Sequence, residues 1–223
     1  MSTCYNDVQS KKIKLNQSYG SQVTLIGQSN LRIINNIIDS PSYSIYINNN
    51  KTWNHIHYKT ISNFKELNTG NQYISIKNKD DVLIDFNVLL LAGITYSIIL
   101  TGEQDKIVPL LLDDTIECEG NQYIYIRFIH GVYNVPSINI KIDDELFENF
   151  NYKDSHVLKI EKKSNINTDT IHLSLINKKY KFNTYPMYVK YGSIYTVVLT
   201  GTLEHLFILT KEDEQRHCYK QNV

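Results

Sequence analysis

Hydrophobic and polar positions along this chain change over in short runs. YSIYIN (43–48), QYISIK (72–77), VLIDFNVL (82–89) and ITYSIILTG (94–102) alternate with a period of two or hold β-branched runs, bounded by Asn, Asp, Gly or Lys. The second half answers with YIYIRFIHG (123–131), SINIKID (137–143), TIHLSLI (170–176), MYVKYG (187–192) and IYTVVLTG (194–201). These patterns predict strands. Only the tail EDEQRHCYKQ (212–221) reads as a short helix.

The strands come twice. LAGITYSIILTG (91–102) lies over KYGSIYTVVLTG (190–201), with Gly93 on Gly192, Tyr96 on Tyr195 and Gly102 on Gly201. Upstream, LRIINNIIDSPSYSIYIN (31–48) lies over IRFIHGVYNVPSINIKID (126–143), with Arg32 on Arg127 and Pro41 on Pro136. The two alignments are offset by a few residues, which predicts an insertion within the second copy, in a hairpin. Two matched blocks in the same order indicate a tandem duplication. Asn48-Asn49-Asn50 and Asp143-Asp144 are predicted hairpin turns, and Pro41 and Pro136 mark an edge strand or a bend.

This many short strands in each copy suits a β-sandwich. The expected fold is all-β, with two tandem immunoglobulin-like sandwiches. The boundaries read as an N-terminal arm (1–28), a first sandwich (29–114), a linker (115–122), a second sandwich (123–213) and a tail (214–223). In the arm, IKL and QVTLI are strand-like; they either complete the first sandwich or add to the sheet edge of a neighbouring copy.

Composition agrees. The chain has 223 residues, among them 17 tyrosines and one alanine, Ala92. That favours pleated surfaces over helices. With 23 basic and 23 acidic residues the formal charge is zero, so the basic stripe of a nucleic-acid binder is lacking. No apolar run reaches the ~20 residues of a membrane-spanning helix. The N-terminus has no apolar core and is not expected to be a secretory signal.

The pattern Arg-[Phe/Ile]-Ile-[His/Asn], then Pro, then an alternating strand, closing on Gly-x-x-Tyr-[Thr/Ser]-[Val/Ile]-[Val/Ile]-Leu-Thr-Gly, resembles the domain-of-unknown-function family 4397. The second copy carries it as Arg127-Phe128-Ile129-His130-Gly131, Pro136 and Gly192 through Gly201; the first departs from it at Asn35. The resemblance implies an immunoglobulin-like sandwich on a bacterial surface, and no reaction.

Candidate chemistry is sparse. His55 and His57 share one strand face but are two ligands where a closed metal site needs four. His130 is better placed to orient a loop than to catalyse. His217 and Cys218 form a further possible ligand pair. Asp80-Asp81, Asp113-Asp114 and Asp143-Asp144 suit turns, because adjacent strand residues point to opposite faces. Arg32 and Arg127 are expected to pair with a carboxylate between the sheets; the alternative is a place in a binding groove. Nucleophile elbows and phosphate loops are lacking, so no enzyme, metal or cofactor is expected.

The cysteines say more. Cys4 lies in the arm, Cys118 in the linker and Cys218 in the tail, all outside the predicted cores. An odd count leaves one sulfur unpaired within a monomer. All three are candidates for inter-subunit cross-links. The expected role is a structural subunit that polymerises head to tail at a cell or spore surface, by strand addition and disulfides. The alternatives are a module binding glycan or another surface protein through tyrosines, and a cytoplasmic location.

Overall fold

The computed structural model describes residues 6–9, 27–135, 137–161, 168–176 and 181–217. Among these, all regular structure is strand. The chain divides into one compact unit of Ser10–Thr115 and another of Met1–Gln9 with Ile116–Val223. The boundary falls at the start of the expected linker.

The chain begins with β1 (Asn6–Gln9). The first sandwich then runs through β2 (Gln28–Asn35), β3 (Tyr43–Ile47), β4 (Asn50–Ile56), β5 (Thr60–Ile61), β6 (Lys65–Asn68), β7 (Gly70–Asn78), β8 (Asp81–Leu90), β9 (Thr95–Glu103) and β10 (Lys106–Asp113). One sheet has the order β10-β9-β2-β5, with β6 also on β2, and the other has β4-β3-β7-β8. The second sandwich repeats the scheme with β11 (Tyr123–His130), β12 (Ile138–Ile142), β13 (Glu145–Phe150), β14 (Ser155–Glu161), β15 (Thr168–Ile176), β16 (Lys181–Lys190), β17 (Ser193–Gly201) and β18 (Leu206–His217). Its sheets are β1-β14-β11-β17-β18 and β13-β12-β15-β16.

In both units the first sandwich strand pairs in parallel with the strand of the repeated motif, β2 with β9 and β11 with β17. Arg32 lies opposite Ser97 and Arg127 opposite Thr196, which confirms the sequence alignment of the copies. The inward rows form two cores, one around Leu31, Ile33, Ile45, Trp53, Ile74 and Ile98, the other around Ile126, Phe128, Ile140, Leu173 and Val197. The outward rows of these strands are buried too, so every residue of β17 is buried. Strands covered on both faces read as near-continuous apolar runs, as IYTVVL does.

The turns follow from residue type. Asn48 and Asn49 both have positive φ, 49° and 66°, the conformation that a two-residue hairpin of right-twisted strands demands. Asp143, with φ 48°, takes the same place in the second unit. Gly102 and Gly201 sit at φ 94° and 100°, and an added Cβ would lie 2.4 Å from the Lys106 carbonyl oxygen and 2.1 Å from that of His205.

Several expectations are corrected. Of the two alternatives for Pro41 the edge strand does not hold, because Pro41 precedes β3, an inner strand; Pro136 lies outside the described residues. The extra residues of the second copy, expected in a hairpin, fall among residues 162–167, outside the described residues. They separate Glu161 from Thr168, where the first copy has only Thr69 between β6 and β7. The start of the tail is strand, because β18 extends to His217 instead of forming a helix. IKL and QVTLI fall outside the described residues, whereas Asn6–Gln9, unremarked in the sequence, forms a strand.

Two glycines test the turn geometry. Gly93 has φ 73° and open space where an alanine methyl would sit, whereas Gly102 meets backbone. Gly93→Ala is expected to cost about 1–2 kcal/mol from backbone conformation alone. Gly102→Ala should cost distinctly more, read as a larger drop in the urea midpoint of the same protein.

Candidate assembly interface

The parallel ladder carries a buried polar network. Arg32, fully buried, donates from Nε to Ser97 Oγ at 2.6 Å and from Nη2 to Asp114 Oδ2 at 2.8 Å. Its guanidinium lies 4.3 Å from the Phe64 ring centroid, and the Ser97 hydroxyl also donates to Asp114. The second unit has equivalent residues in register, with threonine in place of serine. Arg127 is fully buried opposite Thr196, whose hydroxyl donates to Asp213 Oδ2 at 3.2 Å. Arg32 therefore meets the carboxylate partner expected of it. Asp114 is corrected from a turn residue to a buried ion-pair member.

A buried arginine stripped of its carboxylate is left as an uncompensated charge. Asp114→Asn is thus expected to cost about 3–5 kcal/mol, whereas replacing Arg32, Ser97 and Asp114 together by apolar residues of similar volume should be far milder. Chemical denaturation of the single and triple variants checks this.

Tyrosine accounts for much of the repeated motif. Tyr96 Oη accepts the Leu91 amide at 3.3 Å, and Tyr195 Oη accepts the Lys190 amide at 2.9 Å, the same residue pair in each copy. Each phenol thus ties the motif strand to the end of the strand before it, as a tyrosine corner does. Asn35 and His130 are equivalent in the same sense. Asn35 Oδ1 accepts the Ile37 amide at 3.1 Å, and His130 Nδ1 accepts the Val132 amide at 3.4 Å. The two side chains serve the same loop, which explains why they exchange between copies.

Burial raises the phenol pKa of Tyr43, Tyr96, Tyr125, Tyr185 and Tyr195 above its ordinary value near 10.0. The native state then holds protons that the unfolded chain releases, so stability falls as pH rises. Full stability is expected below pH ~10, with progressive loss above it. Tyr195→Phe should flatten that decline, as read by denaturation midpoints across alkaline pH.

The other candidates separate. His55, in β4, and His57, just after it, are both exposed and stack with ring centroids 6.2 Å apart. Asp80-Asp81 and Asp143-Asp144 lie at hairpin turns, as expected. Among the described residues no three His, Cys, Asp or Glu side chains group as metal ligands. Cys118 is exposed in the linker and takes part in a disulfide. Cys4 and Cys218 lie outside the described residues.

What the structure does bring together is the arm, the linker and one sheet edge. β1 lies antiparallel on β14, with Asn6 opposite Lys159, Val8 opposite Val157 and Gln9 opposite His156. Lys159 also pairs with Glu119, the neighbour of Cys118, and lies 4.0 Å from the Tyr123 ring centroid. The Glu119 bond raises the lysine pKa. The N-terminal strand therefore extends the second sandwich, beside the linker that carries Cys118. A four-residue pattern such as NDVQ is too short to announce this pairing.

These features define a tandem β-sandwich protein whose repeated residues serve architecture. Residues 29–141 match the family model of a domain of unknown function, DUF4397, and the chain belongs to that family. The match covers the first sandwich and runs into β12, so it includes the copy that carries Asn35. No curated protein matches the chain. No helix among the described residues is long and apolar enough to cross a membrane.

Proposed function

We propose that this protein is a non-enzymatic structural subunit of a bacterial surface or spore-associated fibre or appendage. Its subunits join by strand addition and by inter-subunit disulfides. The observation that carries the reading is β1, a strand from the start of the chain seated on the edge of the sandwich farthest from it in sequence. Such an edge accepts the same strand from its own chain or from a neighbour, since the ladder is made by backbone groups.

The sulfurs support the same reading. Three cysteines leave one thiol per chain once a single disulfide has formed. Its thiolate can attack a disulfide sulfur of a neighbouring chain, making one inter-chain disulfide and releasing one thiolate, so no oxidant is consumed. Exposure of Cys118 makes its bond open to such attack.

Purified protein is expected to form filaments by negative-stain microscopy, growing with concentration, and a ladder on non-reducing electrophoresis that collapses with reductant. Deleting residues 1–9 should shorten the filaments, and Cys118→Ser should thin the ladder. A monomer at every concentration, with a single band under both conditions, would sink the proposal.

A further inference from the structure

Among the equivalent positions at which the two sandwiches differ are Trp53 and Phe147. In the first, the cross-strand partner of Ile45 is Trp53, which is 6% exposed. In the second, the partner of the equivalent Ile140 is the smaller Phe147, only half-buried. A cavity of about 230 Å³ opens there between β13 and β14, its apolar wall including Ile140, Phe147, Phe150 and Leu158. Glu148 and His156 supply polar atoms to the same lining. An apolar cavity of about 150 Å³ already holds one benzene, so this slot has room for a phenol ring.

The same sheet carries a matching knob. Tyr188 on β16 is 80% exposed, by far the most exposed of the large apolar side chains among the described residues, while its neighbours Met187 and Val189 turn inward and are buried. The order β13-β12-β15-β16 places slot and tyrosine on strands at opposite edges of one sheet. A knob and a hole on different patches make a heterologous contact, which leaves one of each unused and so repeats without closing.

We infer that Tyr188 of one copy seats its ring in the β13–β14 slot of the next. Glu148 and His156 then offer partners for the phenol hydroxyl, while the ring takes the apolar wall. This contact rests on the assembly reading above and supplies its non-covalent step.

The test places p-azidophenylalanine, whose ring matches tyrosine in size, at position 188 of the full chain. After irradiation, the cross-linked dimer is digested and the adduct located by mass spectrometry. An inter-chain adduct on residues of β13 or β14 is expected, with at least a ten-fold loss when Phe147→Trp fills the slot. Leu146→Lys at the exposed mouth provides a second blocking variant should the tryptophan disturb folding. Adducts confined to other surfaces, adducts only within one chain, or yields unchanged by both folded variants would overturn the inference. Microscopy of the unirradiated sample reads the assembly separately: filaments without slot adducts overturn only the Tyr188 contact, and slot adducts without filaments overturn only the fibre.

Discussion

Each sandwich depends on a parallel ladder that its own chain can close only after most of the unit has been made. β2 waits for β9, and β11 waits for β17. The ladder is long-range, so the entropy of closing the intervening chain must be offset by what the paired strands bury. Burial on both faces meets that demand. Inward rows feed the core, and outward rows bury Ile34 and Ile99 in the first unit and Ile129 and Val198 in the second. The arginine lies within the outward row, where its charge is tolerable only with an aligned carboxylate. Asp114, just after β10, thereby ties the end of the first unit's last strand to β2, while Asp213 within β18 accepts from Thr196 on β17.

Much of this architecture was legible in residue order. A duplicated motif with glycines at both ends and tyrosine at a fixed place encodes turn, corner and strand end, and the structure assigns each residue such a role. The hairpin asparagines were legible for the same reason, since few side chains tolerate positive φ. What stayed hidden required pairing in space. Asp114 looks like half of a turn carboxylate pair until β10 brings it under Arg32. The tail looks helical because its charged residues alternate with neither period, yet β17 templates it as strand. The place of the insertion was not legible either, because an offset between alignments shows that residues were added, not where.

The β1–β14 pairing and the slot beside it were the least legible parts. Asn6–Gln9 has too few residues for a pattern, and its partner strand lies beyond an entire sandwich in the sequence. Trp53 and Phe147 look like ordinary aromatic strand residues. Only the cross-strand register, which equates them, turns a difference in ring size into a difference in filling.

The sheet edges set the direction in which such a molecule can associate. An unpaired edge is a template for indiscriminate strand pairing, and charge or proline blunts it. β10 carries Pro109 and β16 carries Pro186, while β5 and β6 are two short strands separated by residues 62–64. β18 bears KEDEQRH along its second half. By contrast β14 is an unbroken strand without proline, and it is the edge that receives β1. β4, β8 and β13 are edge strands without proline as well, so β14 is set apart by the strand it already holds. The slot between β13 and β14 is lined by His156 and Leu158 of that same strand, so in the proposed assembly backbone pairing and side-chain docking both engage β14.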